Sequence, residues 1–191
     1  DGAVELSGAL KTLAVALMKI ANDLRWMNSG PLAGLGEIEL PPRQAGSSIM
    51  PGKVNPVIPE AVSQAALATM GHDAVIAQAS AYGSLELNAF LPLIADSLLT
   101  SLRLLTNANR LLRGLCVEGI EADEERCAAH VRASSAAATA LVPEIGYDAA
   151  CELVQEAHTR GMTIREMVVA KGLLTGEQYD ELLQPEAVCR L

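Results

Sequence analysis

Aromatic side chains are scarce in this chain of 191 residues: one Phe, one Trp and three Tyr, 3% in all. Strands favour aromatic and β-branched residues, so a sheet-built interior is disfavoured, and a hydrophobic content of 50% rich in Ala and Leu suits close-packed helices instead. Basic charge is also short, with 14 Lys and Arg against 23 Asp and Glu and a net charge of -9. A nucleic acid or an anionic membrane surface demands a basic patch, and no such patch is visible, so neither is expected as a partner. The four cysteines, Cys116, Cys127, Cys151 and Cys189, show no Cys-x-x-Cys pair, and His72, His130 and His158 are scattered without ligand spacing. That excludes a recognisable zinc framework, and neither a metal nor a cofactor is expected. With no secretory leader pattern and no long uninterrupted apolar run, the expectation is reduced thiols and a cytoplasmic location.

What is present is helical periodicity. Leu6, Leu10, Leu13, Leu17, Ile20, Leu24 and Met27 recur at alternating steps of four and three, the spacing of a helix packed along others at a shallow angle. The stripe starts almost at the first residue, as if the chain opened inside an existing architecture. A second helix is expected from about Glu60 to Ala81, apolar nearly all round and therefore enclosed by others. A third carries Leu91, Ile94, Leu98, Leu105, Ala108, Leu112 and Leu115, interrupted at Ser101, with Pro92 in its first turn and Asn88 as its cap. Three such stripes expose more apolar surface than one chain can cover, so association with further subunits is expected.

Past Gly119 the texture changes to short amphipathic segments. Thr163 to Glu166 and Thr175 to Gln178 fit the capping-box pattern, with Gly172 as the stop between them. The fold class expected is all-α: long helices of a multi-subunit bundle over residues 1–118, with the tail from 119 to 191 as a small C-terminal helical domain.

Between the first two helices the periodicity stops. Glycines and prolines punctuate residues 28–59, and connections of this length usually carry function. Near its end lies the run Gly46-Ser47-Ser48-Ile49-Met50-Pro51-Gly52-Lys53-Val54-Asn55-Pro56. Glycines let backbone N–H groups turn inward, Lys53 supplies a point charge, and a helix opening at Asn55-Pro56 aims its positive end back at the loop, a design for holding an anion. It is not a phosphate loop, because five residues rather than four separate Gly46 from Gly52 and Val54 follows the lysine where a Ser or Thr is needed.

This run, with its flanks Leu24 to Pro31, Gln44-Ala45 and Val57 to Glu60, resembles the signature loop of the aspartase/fumarase superfamily, lyases that eliminate ammonia, water or an amine from a succinyl-type substrate. The tail also looks like the C-terminal domain of that family, in Gly119 to Ala122 and Ile145 to Ala150. Carried over residue by residue, the resemblance implies Ser47 as the base, Ser48, Lys53 and Asn55 on the substrate carboxylates, and Glu60 at a position that in fumarases pairs with an active-site histidine. None of the three histidines here fills that place, since the family's histidine belongs to a motif outside this chain. The resemblance further implies a homotetramer whose sites are assembled from several subunits, a small dicarboxylate or amino-acid substrate, and no turnover by this polypeptide alone.

The chemistry fits the residue types. Removing a proton from carbon beside a carboxylate concentrates charge on that carboxylate, and donors must be in place to hold it. A serine serves as base only where its alkoxide is stabilised, which the same positive field provides. Plainer readings stand beside these: Ser48 as a turn residue, Asn55 as a helix cap, Glu60 as a macrodipole partner. Among substrates, Val57-Ile58-Pro59-Glu60 with Gln64 is similar to aspartases, whereas Arg25-Trp26 and Gly52 are at home in fumarases. Aspartate ammonia-lyase is the first expectation and class II fumarate hydratase the alternative. A non-catalytic helical scaffold is the reading from another class.

Overall fold

The computed structural model describes residues 1–30, 32–44, 50 and 52–184. The fold is all-α, as expected, and divides into two compact units, one running from Asp1 to Asp123 and one beginning at Glu124.

Three long helices make the first unit: α1 (Gly2–Met27), α2 (Val57–Ala81) and α3 (Leu91–Leu115), with α2 packed along both of the others. Glu5 in the first turn of α1 and Arg25 in its last complement the macrodipole, and Pro92 sits at the start of α3 where its missing N–H costs nothing. Asn88 does not cap α3, whose N-cap is Phe90; it folds the connection instead. Its Oδ1 accepts from the Phe90 N–H at 2.8 Å and its Nδ2 donates to the Ala79 carbonyl at 3.1 Å, tying the end of α2 to the start of α3.

The buried face of α1 is shifted from the leucine stripe. Ser7, Ala14 and Ala21 alternate with Leu17 and Leu24 against the core, while Leu6, Leu13 and Ile20 are 43%, 41% and 46% exposed. Small side chains let α1 and α2 approach closely, so on that side the interior seam runs one position over from Leu6, Leu13 and Ile20. Nor is α2 enclosed on all sides, since Leu67 and Val75 are exposed. Ser101 does not interrupt the α3 stripe but continues it: it is buried, donates to the Ser97 carbonyl at 2.8 Å and lies 3.0 Å from His72 Nδ1.

A two-residue antiparallel pair, β1 (Ile38–Glu39) with β2 (Glu121–Ala122), joins the long connection to the chain beyond α3, placing Ile38 opposite Ala122. This pairing carries the first unit past Gly119 as far as Asp123.

The second unit is built from shorter helices: α4 (Glu124–Ala133), a 3-10 segment (Ser135–Leu141), α5 (Val142–Ile145), α6 (Tyr147–Arg160), α7 (Ile164–Ala170) and α8 (Gly176–Leu182). Leu141, Leu153, Met167, Val168 and Tyr179 form its core. Both expected capping boxes are present, Thr163 with Glu166 and Thr175 with Gln178, and Gly172 takes the positive φ of +67° after α7.

Candidate active site

Ser47 and Ser48 lie outside the described residues, so the site is built from its two stems and from Lys53, Asn55 and Glu60. Gly52 has φ +80°, a conformation that glycine adopts without strain, and the Lys53 N–H donates to the Met50 carbonyl at 3.2 Å, closing a turn that leaves Lys53 exposed. Asn55 accepts the Val57 N–H on its carbonyl at 2.9 Å, and the helix begins there. The N-cap of α2 is Pro56, with no side-chain cap hydrogen bond, so the amide of Asn55 is not the helix cap that its position suggests. Of the first-turn donors of α2, Pro59 has no N–H, the Val57 N–H is taken by the Asn55 carbonyl and the Glu60 N–H by the Pro56 carbonyl, which leaves the Ile58 N–H and the helix macrodipole to favour an anion at this end.

Glu60 stands in that first turn, where the macrodipole favours it. Its partner in this chain is Arg25 of α1, with Nη2 3.9 Å from Oε1 and both side chains about two-fifths exposed. Such a pair contributes little to stability, roughly 0–1 kcal/mol, and acts mainly by orientation. The residues after Asn55 are packing residues: Pro59 is fully buried and Ile58 lies against the bundle core.

The N-terminal stem is held more firmly than its sequence suggests. Asn28 Oδ1 accepts from the Leu40 N–H at 2.9 Å, Ser29 Oγ accepts from the Leu35 N–H at 3.1 Å, and Glu37 N–H donates to the Met27 carbonyl at 2.8 Å. Leu40 is buried among the core residues of the bundle, and Arg43 Nε donates to the Leu115 carbonyl at 2.9 Å. Burial pushes the thiol of Cys116 up, with the Arg43 charge pulling the other way. Arg43 and Asn28 escape a reading of the sequence because their partners lie 72 and 12 residues away. Among the described residues no group of three His, Cys, Asp or Glu side chains is placed to hold a metal ion, and no helix is long and apolar enough to cross a membrane.

Comparison with known proteins decides the family. Residues 1–71 match the family described as Lyase, and residues 138–190 match Fumarase C C-terminus. A fumarate hydratase class II from Pseudomonas putida is 52% identical over 181 residues, covering 95% of this chain and 39% of the relative. The chain belongs to the aspartase/fumarase superfamily. Among solved structures of this superfamily, the class II fumarase of Schistosoma mansoni superposes with a TM-score of 0.89 at 40% identity, over 97% of this chain and 39% of that one. A fumarate lyase:delta crystallin from Brucella melitensis gives 0.87 at 50% identity, over 95% and 39%. The chain thus spans about two-fifths of the length of these superfamily members.

The relatives bear on the branch as well. Curated proteins at 48% to 52% identity carry the name class II fumarate hydratase, the alternative in the sequence reading, and not aspartate ammonia-lyase. Of the aspartase-like residues, Ile58 and Pro59 serve the packing of the α2 N-terminus, where hydrophobic shape rather than substrate chemistry selects the side chain.

Proposed function

We propose that this chain is the C-terminal part of a class II fumarate hydratase, interconverting malate and fumarate at sites assembled from several subunits of a homotetramer. The observation that carries this reading is the run from Gly46 to Pro56 leading straight into the N-terminus of α2, with Lys53 and Asn55 at the mouth of that helix. Support comes from the naming of relatives that match over 95% of the chain.

On this reading Ser47 takes the proton from the carbon beside one malate carboxylate. Lys53, Asn55 and the positive end of the α2 macrodipole, with the Ile58 N–H, hold the charge that develops on that carboxylate, after which hydroxide leaves the neighbouring carbon. Ser48 shares the binding of the carboxylates. Glu60, steadied by Arg25 within this chain, supports a group contributed from outside it.

The test uses a full-length chimera in which these 191 residues replace the matching segment of the Pseudomonas putida relative. Fumarate absorbance is followed with malate and aspartate offered separately. Malate turnover is expected, with Ser47→Ala lowering kcat by at least about a hundredfold while the oligomer stays intact. Turnover of aspartate instead would return the chain to the ammonia-lyase branch. An Ser47→Ala variant as active as its parent would favour the scaffold, and turnover by the 191-residue chain alone would refute the shared site.

A further inference from the structure

Both stems of the signature loop converge on the C-terminal end of α3. Leu40, Pro41 and Arg43 from the stem before the loop and Pro56 to Pro59 from the stem after it line one small crevice together with Leu115 and Cys116. Arg43 bridges this crevice through its bond from Nε to the Leu115 carbonyl, 2.9 Å long. That carbonyl lies in the last turn of α3, where C=O groups have no intrahelical partner and the helix end carries partial negative charge, so a guanidinium is well suited to it. Two neighbours of Arg43 are also fixed: Leu40 is buried in the bundle core, and Pro41 abuts Gly119 so closely that a Cβ there would lie 2.6 Å from Pro41 Cγ. Across the crevice, Pro59 is buried and Ile58 packs on the core, which anchors the other stem.

We infer that Arg43 is a positioning residue: by pinning the chain just before the loop to the end of α3, it sets the separation of the two stems and with it the placement of Lys53 and Asn55. It touches no substrate. The inference rests on the functional reading above for its kinetic consequence, but not for its structural one. An exposed side chain making one hydrogen bond adds little to global stability, so the effects of Arg43 on turnover and on folding should separate.

Two measurements test this. In the chimera, Arg43→Gln should lower kcat/KM for malate about tenfold, with melting temperature and oligomeric state unchanged, and Arg43→Lys should recover to within about threefold, because small misplacements of a site are costly to rate. In the 191-residue chain by itself, Arg43→Gln should speed amide exchange at least about fivefold in peptides covering 38–44 and 52–60 while leaving the middle turns of α1, α2 and α3 as they are. Exchange unchanged in those peptides overturns the inference whether or not the chimera turns over. So does a kinetic loss that tracks a fall in melting temperature and is not recovered by lysine. An unsubstituted chimera without activity counts against the functional reading alone, and the exchange measurement then decides.

Discussion

Asp73, on α2, shows how a single side chain ties two helices together. Ser7 Oγ donates to one carboxylate oxygen at 2.7 Å and Lys11 Nζ to the other at 2.6 Å, both from α1, and the Asp73 side chain is only 12% exposed. The Lys11 bond first and the Ser7 bond second hold its carboxyl below the usual carboxylate range, against the opposing effect of burial. Because the folded state binds the proton less tightly than the unfolded one, this stabilisation is present above about pH 4 and is lost as pH falls through the lowered value. Asp73→Asn should therefore cost about 1–2 kcal/mol at pH 7 and flatten part of the acid limb in urea titrations run from pH 7 to pH 3. An acid limb identical to that of the parent would show that the network contributes nothing. Gly34 offers a second test, in the connection that leads to the signature loop. Its φ is +147°, and an added Cβ would lie 2.4 Å from the Ser29 carbonyl oxygen, so Gly34→Ala should lower the melting temperature by an amount equivalent to about 2 kcal/mol or more. A melt superimposable on that of the parent would rule out the close approach.

The helices of the second unit are short, so their ends matter in proportion. Thr163 accepts from the Glu166 N–H at 3.2 Å while Glu166 Oε2 accepts from the Thr163 N–H at 2.8 Å, and Thr175 with Gln178 repeats the arrangement. Each helix has seven residues, too few to be stable without caps and tertiary packing. Thr163→Ala and Thr175→Ala should each cost about 1 kcal/mol in chemical unfolding, whereas Thr163→Ser should be nearly neutral. If serine fares no better than alanine, packing of the threonine methyl rather than capping is the cause. These ends could be read from the sequence because a capping box is complete within four residues. The same locality exposed the three long helices, the punctuation between them and the run holding Lys53, Asn55 and Glu60. Pairs distant in sequence could not be read that way. Ile38 opposite Ala122, Arg43 on Leu115 and Arg25 beside Glu60 each join residues whose neighbourhood exists only after folding. The buried seam of α1 was legible only in part: Leu10, Leu17, Leu24 and Met27 of the stripe do pack on the core, but the seam is completed by the heptad of Ser7, Ala14 and Ala21, where size alone points to Leu6, Leu13 and Ile20.

At the scale of the whole molecule, the proposed assembly would use the apolar surface that this seam leaves exposed. Leu6, Leu13 and Ile20 recur at heptad spacing on the exposed side of α1, and Leu67 and Val75 of α2 and Leu99 of α3 are exposed as well. A side chain of this size left in water forfeits roughly 1.5–3 kcal/mol of burial, and a heptad row of them is the geometry of a helix awaiting a partner helix. The proposed assembly of sites from several subunits needs such a partner, because Lys53 and Asn55 stand without the remaining motifs of the superfamily in this chain. Charges placed on that row should then dissociate the assembly without unfolding the bundle, since the interior seam of Ala14, Leu17, Ala21 and Leu24 is untouched. Leu13→Glu combined with Ile20→Glu in the chimera should lower the sedimentation coefficient, retain the far-ultraviolet helical signal and abolish malate turnover, because subunits that cannot meet cannot share a site. Turnover that survives dissociation would mean that one chain carries a complete site. A sedimentation coefficient equal to that of the parent would mean that the exposed row of α1 faces solvent in the assembled protein and that subunits meet through α2 or α3 instead.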